Sequence, residues 1–321
     1  MPFSQENLVE IPLYENALKV LENPMYQNIL KVASGKTKKG LVFFDSNSSS
    51  IDEILRICEK LEVPLENIKI IDPTKTWSMK FNPFNVPYET AASDFMKTLI
   101  VLSNKQDAFF SGQQNQAAKN YILLAKKRFG TDTNIIHVQQ MFSEPRYLAD
   151  IVEYVRKTID SNAEDATLNT FDNLNSDESE SLIAYFENEV LDYKVVREKE
   201  AVQPILYANN HKYTGRQVVE NRMERYNTGI KAYLNEVAMD SMLSSLFVCN
   251  NKKDAFDAVQ FLKDGGVLLL NTATSESNKV SPLFGQFFLT HLQSAVFRNA
   301  KDCIKACVLP IPLLFYTDKV V

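Results

Sequence analysis

Glycine is scarce in this chain. Nine glycines in 321 residues (9/321, about 2.8 %) compare with a usual share of about 7 %, and none precedes Gly35. A phosphate-cradling loop needs glycine, because its backbone must approach the phosphates closely and adopt positive φ. Residues 1–34 cannot supply one. Cysteine and histidine are sparse too. Cys58, Cys249, Cys303 and Cys307 show no metal-ligand spacing, and Cys303 and Cys307 lie four apart on an expected helix with no histidine nearby. They are read as small apolar core residues of a reducing compartment. His137, His211 and His291 are far apart, and the Gly-x-Ser-x-Gly, His-Glu-x-x-His and Cys-x-x-Cys patterns are missing. Long apolar runs are missing as well. Met1–Glu10 lacks the apolar centre of a signal peptide, and the longest apolar stretch, Ala306–Tyr316, holds two prolines. It is short of the roughly 20 residues a bilayer requires. A cytoplasmic protein is expected.

What is present is ordinary for a globular chain: 45 % apolar residues, 23 % charged, and a net charge of −5. That balance gives no global attraction to nucleic acid or anionic membrane. The length suggests two domains at roughly 150 residues each. Leu41-Val-Phe-Phe-Asp45 and Ile68-Lys-Ile-Ile-Asp72 read as strands, with a helix over Ile51–Leu61 between them capped by Ser50. Strand, helix, strand is a parallel crossover unit. From about Thr90 to Leu246 the pattern is helix-compatible, including Gln217–Leu246, and residues 160–180 read as an exposed polar break. Strand character returns at Val267–Asn271, after a helix over Lys253–Lys263 that Gly265-Gly266 ends, and again at Pro312–Asp318. Between these two strands lies a helix, with Ser281 as its cap and Pro282 at its first position. The fold class is α/β: a core over 1–88, a large all-α insertion over 89–248, and the core resuming over 249–321.

Several blocks in this order resemble the type IV secretion coupling proteins, the TraG/TraD-like and TcpA-like conjugative DNA-transfer ATPases of the HerA/FtsK superfamily. They are Pro24-Met-Tyr-Gln27 with Gly40–Asp45, Ile70-Ile-Asp-Pro73, Lys80-Phe-Asn-Pro-Phe84, Asp107–Gln114 with Gln116–Asn120, and Leu262–Thr272 with Phe284-Gly285 and Gln293–Arg298. The resemblance covers about residues 20–318 and implies a RecA-like parallel-sheet nucleotidase core with ATP and Mg²⁺ as cofactors. It also implies DNA or conjugative transfer proteins as partners, an oligomer with a homologue, and partner-mediated recruitment to the inner face of a membrane.

The catalytic positions depart from that pattern. The Walker A loop should fall at Ile11-Pro-Leu-Tyr-Glu-Asn-Ala-Leu18, where there is no glycine, lysine, serine or threonine and Glu15 would repel phosphate. Ile11, Ala17 and Leu18 mark this degenerate region. Gly35-Lys36-Thr37 is a decoy, because it leads into a strand and Leu30 stands where a true loop needs glycine. The lysine and glycine expected after Asp45 are replaced by Ser46-Asn-Ser-Ser-Ser50. At the Walker B position Asp318 could hold Mg²⁺ through water, but Lys319 replaces the glutamate that polarises the attacking water. The chain also stops ahead of the last core strands that the resemblance implies, so an unpaired sheet edge and self-association are expected.

With these parts changed, no cofactor is expected. The leading expectation is an inactive paralogue of a coupling ATPase that acts by binding. A split half of an active enzyme and a helical scaffold or DNA-binding module are the alternatives. Lys126, Lys127 and Arg128, at the end of one helix, are candidates for phosphate contact or for offsetting its C-terminal dipole. Arg298 is a candidate subunit-boundary residue. Arg216, Arg222, Arg225 and Lys231 interleave with Glu220 and Glu224, which suggests a salt-bridged helix surface.

Overall fold

The computed structural model describes residues 23–46, 49–103, 108–161, 176–198, 201–249, 255–273, 280–307 and 309–317. The first helix, α1 (Pro24–Ala33), starts where sequence chemistry dictates: Asn23 caps it by accepting from the Met25 N–H at 2.9 Å, and proline occupies its first position. Strand β1 (Gly40–Asp45) leads to α2 (Ser50–Lys60), which buries Ile51, Ile54 and Cys58 along one face, and then to β2 (Ile68–Ile71). The helices α3 (Tyr88–Ser103), α4 (Ala108–Phe129), α5 (Ile135–Ser143), α6 (Pro145–Asp160) and α7 (Ser176–Tyr185) follow, and α7 runs into a π-turn over Phe186–Val190.

The next stretch differs from the sequence expectation. Four short strands, β3 (Leu191–Tyr193), β4 (Val195–Glu198), β5 (Ala201–Pro204) and β6 (Val219–Asn221), form two antiparallel pairs, β3 with β6 and β4 with β5. The β-branched content of Val195, Val196 and Val202 outweighs the helical pattern there. The helix expected from Gln217 therefore begins only at Glu224, as α8 (Glu224–Met239), and breaks at Asp240, which caps α9 (Ser241–Phe247). Likewise α10 (Ala258–Asp264) starts after its cap Asp257 and not at Lys253. The chain continues through β7 (Gly266–Asn271), α11 (Val280–Lys305) and β8 (Leu313–Thr317).

The molecule divides into two compact units, one of residues 1–79, 256–282 and 292–321, the other of residues 80–255 and 283–291. The first unit is α/β. Its sheet has the order β2-β7-β1-β8 and every pairing is parallel, with Phe43 opposite both Leu269 and Tyr316. Side chains alternate across it. Leu41, Phe43, Val267 and Leu269 pack with Ile29, Val32, Ile51 and Ile54 from α1 and α2, while Val42, Leu268 and Leu270 are equally buried on the opposite face. Each such side chain contributes roughly 1.5–3 kcal/mol by leaving water. Among the described residues β8 is an edge strand paired only with β1, and it is half-exposed.

The second unit is mainly helical. Phe81 anchors an aromatic cluster with Phe247, Phe288 and His291 at ring separations of 5.8, 5.2 and 5.1 Å. Asn82, in the Asn-Pro turn, is buried; it donates to Thr133 O at 2.7 Å and accepts from the Phe84 N–H at 3.0 Å. Tyr121 stacks on Phe142 with centroids 3.9 Å apart and accepts a hydrogen bond from Asn221, which ties β6 to α4.

Gly265 and Gly266 set the entry to β7. Their φ angles are +78° and +106°, and an added Cβ would lie 2.7 Å from Lys39 O and from Asn67 O respectively. Replacing Gly266 by alanine is expected to lower unfolding free energy by at least about 2 kcal/mol in urea titration. Gly112→Ala, in an exposed helical position with open space around it, should be stabilising by up to about 1 kcal/mol.

Candidate functional site

Open parallel sheets offer ligands the crevice beyond the carboxyl ends of their strands. In the first unit that edge carries a buried polar cluster. Asp45 ends β1 with no exposed surface, and its Oδ2 accepts from the Ile51 N–H at 2.9 Å. This carboxylate, not a serine, caps α2: the cap position falls on Ser49, whose side chain makes no cap bond, and Ser50 lies inside the helix. A negative group at the positive end of a helix dipole is favourable. The Asp45 carbonyl accepts from the Thr272 N–H at 2.9 Å.

Asp72 follows β2 and is also buried. Its Oδ1 accepts three hydrogen bonds, from Asn271 Nδ2 at 2.9 Å, the Thr74 N–H at 2.9 Å and Thr74 Oγ1 at 2.7 Å. Its own N–H donates to Ser78 Oγ at 2.8 Å. Asn271, the last residue of β7, completes its amide by accepting from the Ala273 N–H at 3.0 Å. The cluster therefore braces three loops: the carboxylates that lie nearest the ligand edge are engaged by internal donors.

The nucleotide chemistry implied by the resemblance does not fit these residues. Asp72 Oδ1 already holds three donors and Asp45 Oδ2 caps a helix, so both are poorly disposed toward a cation, and Gly35-Lys36-Thr37 lies after α1 and before β1, at the amino end of the sheet. Ile11, Ala17, Leu18, Asp318 and Lys319 lie outside the described residues. Among the described residues no group of three His, Cys, Asp or Glu could hold a metal ion, and no helix is long and apolar enough to cross a membrane.

The expected phosphate contacts need correction. Lys126 is 1 % exposed and donates to the Val86 carbonyl, and Lys127 is buried as well. The Lys126 amine, spent on that carbonyl, cannot meet an outside phosphate. Arg128 lies over the rings of Tyr154 and Phe129, at 4.0 and 5.2 Å from their centroids. Arg298 is half-buried on α11. The second basic stretch is salt-bridged, though only partly helical. Arg216 pairs with Asp150, Arg222 with Asp192 and Lys231 with Glu224, while Arg225 lies over Tyr226. Of the cysteines only Cys58 is fully buried, and burial pushes its thiol up to about 11; Cys307 is exposed.

The histidines sit in three separate places. His211 stacks on Tyr207 with centroids 4.2 Å apart, and His291 Nδ1 lies 3.6 Å from Asp94, both residues being buried. His137 stacks on Phe129 at 3.9 Å. Sequence reasoning missed Asn271, Thr74, Ser78 and Trp77 as members of the sheet-edge cluster and its loop. The Asp72-Pro-Thr turn signal could have pointed to Thr74, because an aspartate commonly accepts from the backbone two residues on. No protein-family model matches the chain, and no curated protein is detectably similar to it.

Two outcomes follow from these contacts. Asn271→Ala leaves buried Asp72 one donor short and should cost about 1–3 kcal/mol in urea unfolding. His137 is held below its ordinary value of 6.5, chiefly by burial, with Asp132 opposing and Arg128 assisting the shift. Its folded pKa therefore lies below its unfolded one, so the unfolded chain takes up the proton first and stability is lost as pH falls below that value. The unfolding midpoint should drop between pH 7 and about 5.5, and His137→Phe should flatten that drop.

Proposed function

We propose that this chain is a binding component of a conjugative DNA-transfer apparatus, built on a RecA-like sheet and acting without ATP turnover of its own. The observation that carries the reading is the state of the two carboxylates at the ligand edge. Asp45 caps α2 and Asp72 holds three donors, so both serve as internal braces. An active nucleotidase needs its acidic groups open to a cation and an attacking water, acting together with a phosphate cradle. The order of the sequence blocks supports the assignment to transfer machinery, and the partner proposed is an active coupling ATPase or another transfer protein.

The test is a radiolabelled ATP assay on the full chain with Mg²⁺, alongside co-purification with a tagged, active conjugative coupling ATPase. The expected result is no phosphate release above the protein-free blank and a stoichiometric complex. Mg²⁺-dependent release that Asp45→Asn abolishes would overturn the proposal, as would failure of the two purified chains to associate.

A further inference from the structure

The second unit holds an open cleft of about 390 Å³ between α4, α7 and the start of α3. Its walls follow helical spacing. Gln116 and Asn120 lie one turn apart on α4, and Asp177 and Tyr185 lie on one side of α7. Tyr88, the first residue of α3, supplies a third wall, and buried Leu182 adds apolar surface. The volume is that of a small-molecule site, roughly 300–1,000 Å³.

These walls are held in place. Gln116 Nε2 donates to Asn120 Oδ1 at 3.1 Å, and Asn120 hydrogen-bonds the Tyr185 hydroxyl. Arg156 of α6 pairs with Glu180 at 2.5 Å and Glu187 at 2.7 Å, one on either side of Tyr185 in sequence. The π-turn begins immediately after Tyr185, a distortion that recurs at functional sites. Burial pushes the Tyr185 hydroxyl up to about 12, with Glu189 adding to the shift, so the ring is a neutral phenol at physiological pH.

The lining selects the charge of what it receives. It includes two carboxylates, Asp177 and Glu178, and among its described lining residues none is cationic. Phosphates and other anions are therefore disfavoured. Asp177 and Glu178 also stand in the first turn of α7, where they complement the helix dipole, so acidity alone would mark no site. The half-buried rings of Tyr88 and Tyr185 add the second element. A cation gains from the negative face of an aromatic ring, and gains more where water is partly excluded. We infer that this cleft binds an organic cation bearing N–H donors, an alkylammonium or a guanidinium. Asp177 supplies the counter-charge, the Gln116 side-chain oxygen a further acceptor, and the tyrosines and Leu182 the surface for an apolar stem. Such a group arrives as a free small amine or as an arginine side chain of another protein. The inference goes beyond the function proposed above: it concerns the other unit, uses neither Asp45 nor Asp72, and does not depend on ATP turnover.

Isothermal titration of the full chain with agmatine, which carries a guanidinium and an ammonium, should show saturable one-to-one binding. Butyramide, which is uncharged, should show none. Asp177→Asn should weaken agmatine binding about tenfold, as should Tyr185→Ala, while Tyr185→Phe should keep most of the affinity because the ring faces the cation. Asp177 is exposed, so the thermal transition of Asp177→Asn should stay close to the parent's, and its loss of binding reports charge and not unfolding. A blocked arginine tripeptide that binds at least tenfold tighter than agmatine assigns the cation to a partner protein; the reverse order assigns it to a free amine. No saturable heat from either cation overturns the inference and leaves a turnover-free binding role untouched. Agmatine affinity unchanged in Asp177→Asn, or butyramide binding as tight as agmatine, overturns it equally.

Discussion

The first unit depends on one buried contact: the hydrogen bond from Asn271 to Asp72, which joins positions 199 residues apart. It fixes the carboxyl ends of β7 and β2, and Asp72 passes the constraint on to Thr74 and Ser78. A buried carboxylate is costly unless its lone pairs are met by donors. Three donors on Oδ1 therefore make the cluster self-consistent, and loss of one leaves an expensive remainder. On the other side of β7 the Thr272 N–H holds the Asp45 carbonyl, so β1, β2 and β7 reach the ligand edge in one fixed arrangement.

The second unit relies on different means. Its aromatic cluster around Phe81 and the stack of Tyr121 on Phe142 supply buried area with directional ring packing. The Tyr121 hydroxyl is pushed up, chiefly by burial, and is kept satisfied by Asn221. The β3–β6 pair is bridged by Lys194, which pairs with Asp192 of β3 and Glu220 of β6, while on α6 Arg146, 4 % exposed, bonds Asp150 and Glu153, and Arg216 reaches the same Asp150. Arg156 similarly joins α6 to Glu180 and Glu187. Partly exposed pairs of this kind are individually weak, so the network serves more to fix the register of short strands than to hold the unit together.

The parallel sheet was legible because its strands are continuous apolar runs, as strands covered on both faces must be. Leu41–Asp45 and Val267–Asn271 match β1 and β7 to within one residue, and Gly265-Gly266 marks the chain reversal. The short strands at 191–221 escaped because three- and four-residue strands carry too little period to compete with flanking helices. The site was less legible still. Asn271 reads as a strand end, and nothing in the local sequence says that its amide meets Asp72. The cationic run at 126–128 shows the converse error. Charge in a sequence suggests surface, but Lys126 reaches a buried carbonyl and Lys127 is enclosed with it.

The same brace bears on chemistry. For Asp72 to hold a cation, the ion would have to displace hydrogen bonds from Asn271 and Thr74, each worth roughly 1.5–3 kcal/mol because the acceptor is charged. The displaced amide and hydroxyl would then need new partners in a buried setting. For Asp45 the loss would be a helix cap, at about 1 kcal/mol, with an orphaned N–H at the start of α2. These costs fall on the fold itself, so a sheet edge organised in this way favours holding its loops still over admitting an ion. The turn after β2 is anchored at Asp72 through Thr74 and Ser78, and a carboxylate freed for catalysis would release that turn.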